Sequence, residues 1–280
     1  MLQSSKSRNR VKVLILLPAF NEEESIPYLL PKIDSTLSDA GLEYRVIITD
    51  DGSTDATNKL ILEASKTYPI HLITHTINRG LGETSRDNFE AAALLSTEED
   101  VIVRLDCDNT HEPEFILSMI AKIKDGYDVV IASRFAKGGG QKGVNSYRAF
   151  ISSGANIFMK LFFPIRGLRE YSCGYRAYSA SIIKRAITVY GNSFIQLKGL
   201  GFTCTLEKLV KLHMLGARFA EVPFVLRYDN KMGPSKMIGS ITTLGYILMV
   251  LLNYWPWGGW RSQRKRDTFD MKRTIMKIGG

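Results

Sequence analysis

Short apolar runs alternate along the first half of the chain with longer stretches whose apolar positions recur at helical spacing. Val11–Pro18, VKVLILLP, predicts a buried strand, and Asn21–Gly41 a helix that stops at its glycine. Tyr44–Ser53 predicts a second strand, Thr54–Ser65 a helix capped by Thr54 and Asp55, Ile70–Thr76 a third strand and Gly82–Ser96 a helix. Asp100–Asp108 predicts the fourth strand, Pro113–Gly126 a helix and Asp128–Phe135 the fifth strand. Strands alternating with helices predict βαβ units, hence an α/β fold with a mostly parallel central sheet flanked by helices. No repeat interrupts this rhythm, and Lys137–Gly143, KGGGQKG, predicts a mobile loop.

The polar punctuation falls where the strands end. Asn21-Glu22 follows the first, Asp50-Asp51 closes the second, Asp106-Cys107-Asp108 the fourth and Ser133-Arg134 the fifth. Parallel sheets bind ligands beyond the carboxyl ends of their strands, so these sets converge on one rim. Two carboxylates as close as Asp106 and Asp108 repel unless a cation lies between them. The first strand is followed by no G-x-G-x-x-G, and no P-loop lysine motif occurs, so a glycine loop is not the expected phosphate holder. A divalent ion held by carboxylates is the other common device for a diphosphate, and Asp106 and Asp108 suit it.

Charge and cysteines narrow the picture. The 280 residues are 45% hydrophobic and 23% charged, an ordinary globular composition, and the net charge of +9 calls for an anionic partner. Cys107, Cys173 and Cys204 are odd in number and far apart, which predicts neither a zinc knuckle nor a disulfide framework, and Cys107 is expected to be small and buried. The polar basic tail of residues 1–10 does not read as a signal peptide. His111 is expected to be a cap or supporting donor beside the carboxylates, and His71 and His75 structural.

The blocks LILLPAFNEEESI, IITDDGSTDAT, NRGLGE, RLDCDNTHEPEFI, VVIASRF and YSCGYRAY resemble, in order and spacing, family-2 glycosyltransferases of the GT-A fold, in the branch that acts on dolichyl and polyprenyl phosphates. The resemblance covers roughly residues 11–237. It implies a nucleotide-sugar donor (GDP-mannose first, a UDP-sugar second), Mg²⁺ or Mn²⁺, inversion at the anomeric carbon and an isoprenoid-phosphate acceptor. Carried onto this sequence, it implies that Pro18, Phe20 and Glu22 line the nucleoside pocket, with Asp50, Asp51 and Cys107 also on the donor side. Asp106 and Asp108 would hold metal and diphosphate, with Asp108 central to catalysis. Arg134 and Arg148 would face the acceptor phosphate, with Arg176, Ser235 and Lys236 as further contacts. The chain departs from the family pattern at Thr110, Glu170 and Asn230, where Gln, Asp and Arg are common, and Arg227 offers a nearby substitute for the last.

An ionised phosphate attacks without a general base; what it needs is cations, and the planar fork of Arg binds phosphate in a bidentate way. A saccharide hydroxyl would instead need a base, for which Glu170, Glu207 and Asp229 are the candidates. A nucleic-acid binder is suggested by charge only, since the densest basic run follows an apolar tryptophan-rich segment rather than a stacking surface. That segment, Met237–Trp257, has no charge over 21 residues, and residues 258–277 then carry seven Lys or Arg against two Asp. With Trp255, Trp257 and Trp260 clustered at its end, it predicts a membrane-associated helix, spanning or lying in the interface, or else a helix packed on the catalytic domain. The expected organisation is a tail over 1–10, a catalytic domain over 11–236 and a membrane-associated segment over 237–280. The active site would face the cytoplasmic side of a membrane, and a homo-oligomer is compatible with all of this.

Overall fold

A computed structural model describes residues 11–144, 146–232 and 239–254, apart from the side chains at 147, 148, 151, 239 and 240. The first half follows the expected alternation: β1 (Lys12–Ala19), α1 (Ile26–Asp39), β2 (Glu43–Asp50), α2 (Thr57–Ala64), β3 (Ile70–Thr74), α3 (Leu81–Leu95), β4 (Val101–Arg104), α4 (Phe115–Lys124) and β5 (Val129–Ser133). The second half adds β6 (Gly140–Lys142), α5 (Ser146–Phe162), β7 (Arg176–Ser179), α6 (Ala180–Tyr190), α7 (Thr203–Met214), β8 (Phe219–Pro223), β9 (Val225–Arg227) and α8 (Gly239–Asn253).

Seven strands form the central sheet in the order β3-β2-β1-β4-β7-β5-β8. All neighbours are parallel except β7, which lies antiparallel between β4 and β5. Val13–Leu17 at its centre are fully buried, as a strand covered on both faces requires. The stripe Ile26, Leu29, Leu30, Ile33 and Leu37 seals α1 onto the sheet; each such side chain contributes roughly 1.5–3 kcal/mol by leaving water. Register pairs Ala19 with Asp50, Asp50 with Thr74 and Leu16 with Arg104, so β1, β2, β3 and β4 all finish at one rim.

Several boundaries differ from the sequence reading, each for a local reason. The helix expected from Asn21 starts at Ile26, because Asn21 has φ 51 and its N–H is taken by Ser53 Oγ at 2.9 Å. The second strand ends at Asp50, where Gly52 turns the chain at φ +69. The loop expected over Lys137–Gly143 contains β6, which pairs in parallel with β9. In the C-terminal segment, α8 lays Thr242 and Met249 against the domain, and a Cβ on Gly245 would meet the Cβ atoms of Leu200 and Thr203 at 3.0 Å. Its 15 residues rise about 22 Å at 1.5 Å each, short of the roughly 30 Å hydrocarbon core. No helix among the described residues is long and apolar enough to cross a membrane. Ile241, Leu244, Ile247, Leu251 and Leu252 remain exposed on it, as do Phe150, Ile157 and Leu161 on α5, a face the sequence reading passed over. The tryptophans 255, 257 and 260 and the basic tail lie outside the described residues.

Candidate active site

The donor side is built by cross-linking two loops. Glu22 donates its N–H to Thr57 Oγ1 at 2.7 Å and accepts from Ser25 Oγ at 3.0 Å, while Glu23 Oε2 accepts from Ala56 N at 2.8 Å and so caps α2. Pro18 and Phe20 are half-buried beside this seam. The two aspartates expected at the nucleoside are turned inward. Asp50 is 1% exposed, with Oδ1 accepting from Ser53 N and Oδ2 from Asn58 Nδ2. Asp51 is 3% exposed, and its oxygens accept from the backbone N–H groups of Arg79 and Gly80 at 2.9 and 2.8 Å. His75 Nδ1 lies 2.6 Å from Asp51, and His75 Nε2 lies 2.8 Å from Asp87. Burial opposes ionisation of Asp87, yet hydrogen bonds from His75 and Arg86 outweigh it and hold that carboxyl below its usual range. These acids fix the loops that follow β2 and β3.

Past the end of β4, Leu105 and Cys107 turn into the core at 0% and 2% exposure, and the side chains of Asp106 and Asp108 remain partly exposed at 29% and 17%. Cys107 is thus small and buried, as expected. Asn109, at φ 59, turns the chain immediately afterwards. Both carboxylates already carry a cation. Arg104 Nη2 is 2.6 Å from Asp106 Oδ1, and Lys231 pairs with Asp108 Oδ2. Thr110 Oγ1 donates to Asp108 Oδ1 at 2.6 Å. Burial opposes the Asp108 charge, but Lys231 prevails and holds the carboxyl below the ordinary range. His111 is stacked on Tyr175 at 5.0 Å, and burial pushes its pKa down, so it is neutral near pH 7. Its Nδ1 accepts the Asp106 N–H at 3.0 Å, which leaves the proton on Nε2.

Directly after β5, Arg134 is clamped by Glu170 in a two-pronged pair at 2.8 and 2.9 Å and also reaches Ser152 and Ser172. Its Nη1 makes one long contact, 3.5 Å to Gln141 on β6, among the described residues. Glu170 is fully buried and further accepts from the N–H groups of Ser172 and Cys173. Burial opposes its charge, and Arg134 outweighs that, keeping Glu170 below the usual glutamate range. Such a carboxylate is a poor base. Glu207 is equally buried and held by the Gln196 and Leu197 N–H groups and by Lys211. Asp229 is exposed and paired with Arg227.

Arg176, expected at the acceptor phosphate, is turned into the core. It is 0% exposed and donates to the carbonyls of Thr205 and Tyr171 at 2.5 and 2.6 Å. As the first residue of an antiparallel strand opposite Arg104, it ties β7 to α7. The Arg148 side chain, Ser235 and Lys236 lie outside the described residues. Sequence reasoning missed Arg104 and Lys231 as partners of the carboxylates. An arginine in an otherwise aliphatic strand was the available signal for the first; Lys231 lies 123 positions from Asp108 and carried none. The segment around Lys231 leans on the carboxylate turn, with Arg227 N donating to Thr110 O at 3.2 Å and Asn230 Nδ2 to Glu112 Oε1 at 3.0 Å.

Comparison with known proteins agrees with this geometry. The family model described as glycosyl transferase family 2 matches residues 14–188. A dolichol-phosphate mannosyltransferase from Pyrococcus furiosus is 32% identical over 230 residues, 82% of this chain and 60% of the relative, so the chain spans less than two thirds of that protein. An undecaprenyl-phosphate mannosyltransferase from Micrococcus luteus is 30% identical over 260 residues, 91% of this chain and 99% of the relative. Among solved structures, glucosyl-3-phosphoglycerate synthase from Mycobacterium tuberculosis, in complex with Mn²⁺ and UDP, superposes with a TM-score of 0.56 at 17% identity over 87% of this chain and 79% of that one. TarS 1-349 of S. aureus gives 0.58 at 16% identity over 94% and 73%. At those identities the structures speak for the fold, whereas the sequence matches decide the family: the chain is a member of glycosyl transferase family 2.

Proposed function

We propose that the protein transfers a sugar, mannose from GDP-mannose in the first instance, to a polyprenyl or dolichyl phosphate at the cytoplasmic face of a membrane. The observation that carries this reading is the pairing of Arg134 with Glu170: it supplies a rigid arginine at the end of β5 and at the same time removes Glu170 as a base. A phosphate monoester is already ionised near neutral pH and requires such a cation rather than a base.

Asp106 and Asp108 fit Mg²⁺ or Mn²⁺ as hard oxygen donors at the rim, and an ion bound there would take over the carboxylate oxygens that Arg104 and Lys231 now hold. Bound there, the ion would stabilise charge developing on the departing nucleoside diphosphate as a Lewis acid. Arg104 and the His111–Tyr175 stack hold Asp106 in place. Lys231 keeps Asp108 ionised and lends positive charge to the same anion. Arg134 orients the incoming phosphate, and the Glu22–Thr57 seam fixes the loops on the nucleoside side. The apolar exposures on α5 and α8 suit helices lying in a membrane interface. A saccharide acceptor with a UDP-sugar is the competing reading, and Asp229 is the one candidate base facing solvent.

Donor identity is tested by thermal denaturation with GDP- and UDP-sugars, each with and without Mn²⁺, because a ligand of the native state raises the melting temperature. GDP-mannose with Mn²⁺ should give the largest rise. A rise confined to UDP-sugars, or one indifferent to metal, overturns the donor assignment.

A further inference from the structure

Between the end of α5 and Glu170 the chain forms a concavity of about 420 Å³, lined by Lys160, Pro164, Ile165, Arg166, Gly167, Leu168 and Arg169. We infer that this hollow is a second anion site, which takes the phosphate headgroup of an acidic phospholipid. Three of its lining residues are cations and none is acidic. All three are exposed, and among the described residues none of their side chains has an ion pair or hydrogen bond. Some other surface cations are paired, as Arg227 is with Asp229 and Lys66 with Glu63; what distinguishes these three is that they surround one hollow. Three like charges around one hollow repel one another, and an anion placed among them relieves that cost.

The hollow is built on a fixed frame. Ile165 and Leu168 are buried at 5% and 2%, Ile165 N donates to Tyr171 Oη at 3.1 Å, and Arg169 and Glu170 both donate their N–H groups to Glu221 Oε1 at 2.7 Å. Gly167, at φ +82, supplies the turn between Arg166 and Leu168.

A lipid, rather than free phosphate, is indicated by what adjoins it. Ile157 and Leu161, one helical turn apart, are 71% and 73% exposed, and Lys160 sits between them in sequence on the same last turns of α5. Acyl chains would cover these residues; inorganic phosphate would leave them in water. The site is separate from the acceptor arginine, since Arg134 does not line it. It is also linked to that arginine, because Arg169 is followed directly by Glu170, which clamps Arg134. A lipid held here sets the acceptor side of the enzyme against the bilayer. The inference needs only this surface and does not depend on which sugar or acceptor is used.

The test is co-sedimentation of the full-length protein with phosphatidylcholine vesicles containing phosphatidylglycerol. The Lys160→Gln/Arg166→Gln/Arg169→Gln variant should bind these vesicles roughly thirtyfold to a hundredfold more weakly, given the usual contribution of basic residues at an acidic surface. A matched variant that removes three tail charges, Arg261→Gln/Arg264→Gln/Lys265→Gln, should lose distinctly less. Ile157→Ser/Leu161→Ser, with all charges intact, should also weaken binding. Equal losses in the two charge variants would mean diffuse electrostatics and overturn the site. Displacement by millimolar glycerol phosphate without any effect of the Ile157 and Leu161 changes would mark a free-phosphate site and overturn the lipid assignment. A preserved donor-induced rise in melting temperature shows that the variants are folded. It also keeps a failure here distinct from a failure of the sugar-transfer reading, since vesicle binding requires no turnover.

Discussion

Asp108→Asn should abolish sugar transfer, by about a thousandfold or more, and remove Mn²⁺-dependent donor binding while the fold persists. The substitution keeps an acceptor for Thr110 Oγ1 but deletes the charge that faces Lys231. Asp108 sits on the rim with its side chain 17% exposed, outside the aliphatic core, so the sheet has no reason to fail. The loss expected is that of Lewis-acid stabilisation of the leaving diphosphate, several kcal/mol, at about tenfold in rate per 1.4 kcal/mol. Turnover and melting temperature with and without Mn²⁺ check both halves. Normal metal-dependent turnover by Asp108→Asn removes Asp108 from the site.

Arg134→Lys should lower transfer by about tenfold to a hundredfold, the worth of a charge-assisted hydrogen bond of roughly 1.5–3 kcal/mol. Arg134→Ala should cost more and also lower the melting temperature, because it strands Glu170 as a buried, unpaired charge. Donor affinity measured without acceptor should stay nearly constant in Arg134→Lys, so that the loss appears with the acceptor. Glu170→Gln separates positioning from base catalysis. A positioning role predicts a raised KM for the acceptor with kcat largely kept, and a base predicts that kcat collapses. The pair also has an acid signature. Glu170 is held below its unfolded value, so its contribution is complete above an unfolded glutamate pKa of ~4.3 and fades as pH falls through the folded value. Glu170→Gln should flatten that acid limb of stability. The same Lys and Ala series at Arg148 tests its assignment to the acceptor phosphate.

What the sequence revealed and what it hid divide along sequence separation. Val13–Leu17 and Val129–Ser133 announce themselves as strands because burial on both faces makes their apolar runs continuous. Asp106 and Asp108 were legible because a strand that stops at paired carboxylates is a local pattern. The inward turn of Asp51 was not, since it depends on N–H groups 28 and 29 residues away and on His75, 24 residues away. Arg176 read as a contact for the acceptor phosphate, and its burial had no local trace, because β7 is inserted antiparallel between strands laid down much earlier. Likewise Lys137–Gly143 looked like a loop by its glycines, and becomes β6 because Val225–Arg227 arrives beside it. Gly140, Gln141 and Lys142 have almost no intrinsic strand preference of their own.

The central claim is that a lipid phosphate, not a hydroxyl, receives the sugar. It is tested most directly by supplying radiolabelled GDP-mannose or UDP-glucose with Mn²⁺ and comparing an isoprenyl monophosphate with the corresponding isoprenol as acceptor. The account predicts label in the phosphate product only, with GDP-mannose the better donor. Equal glycosylation of the alcohol, or transfer to a saccharide with none to the phosphate, would contradict it and favour the hydroxyl-acceptor reading.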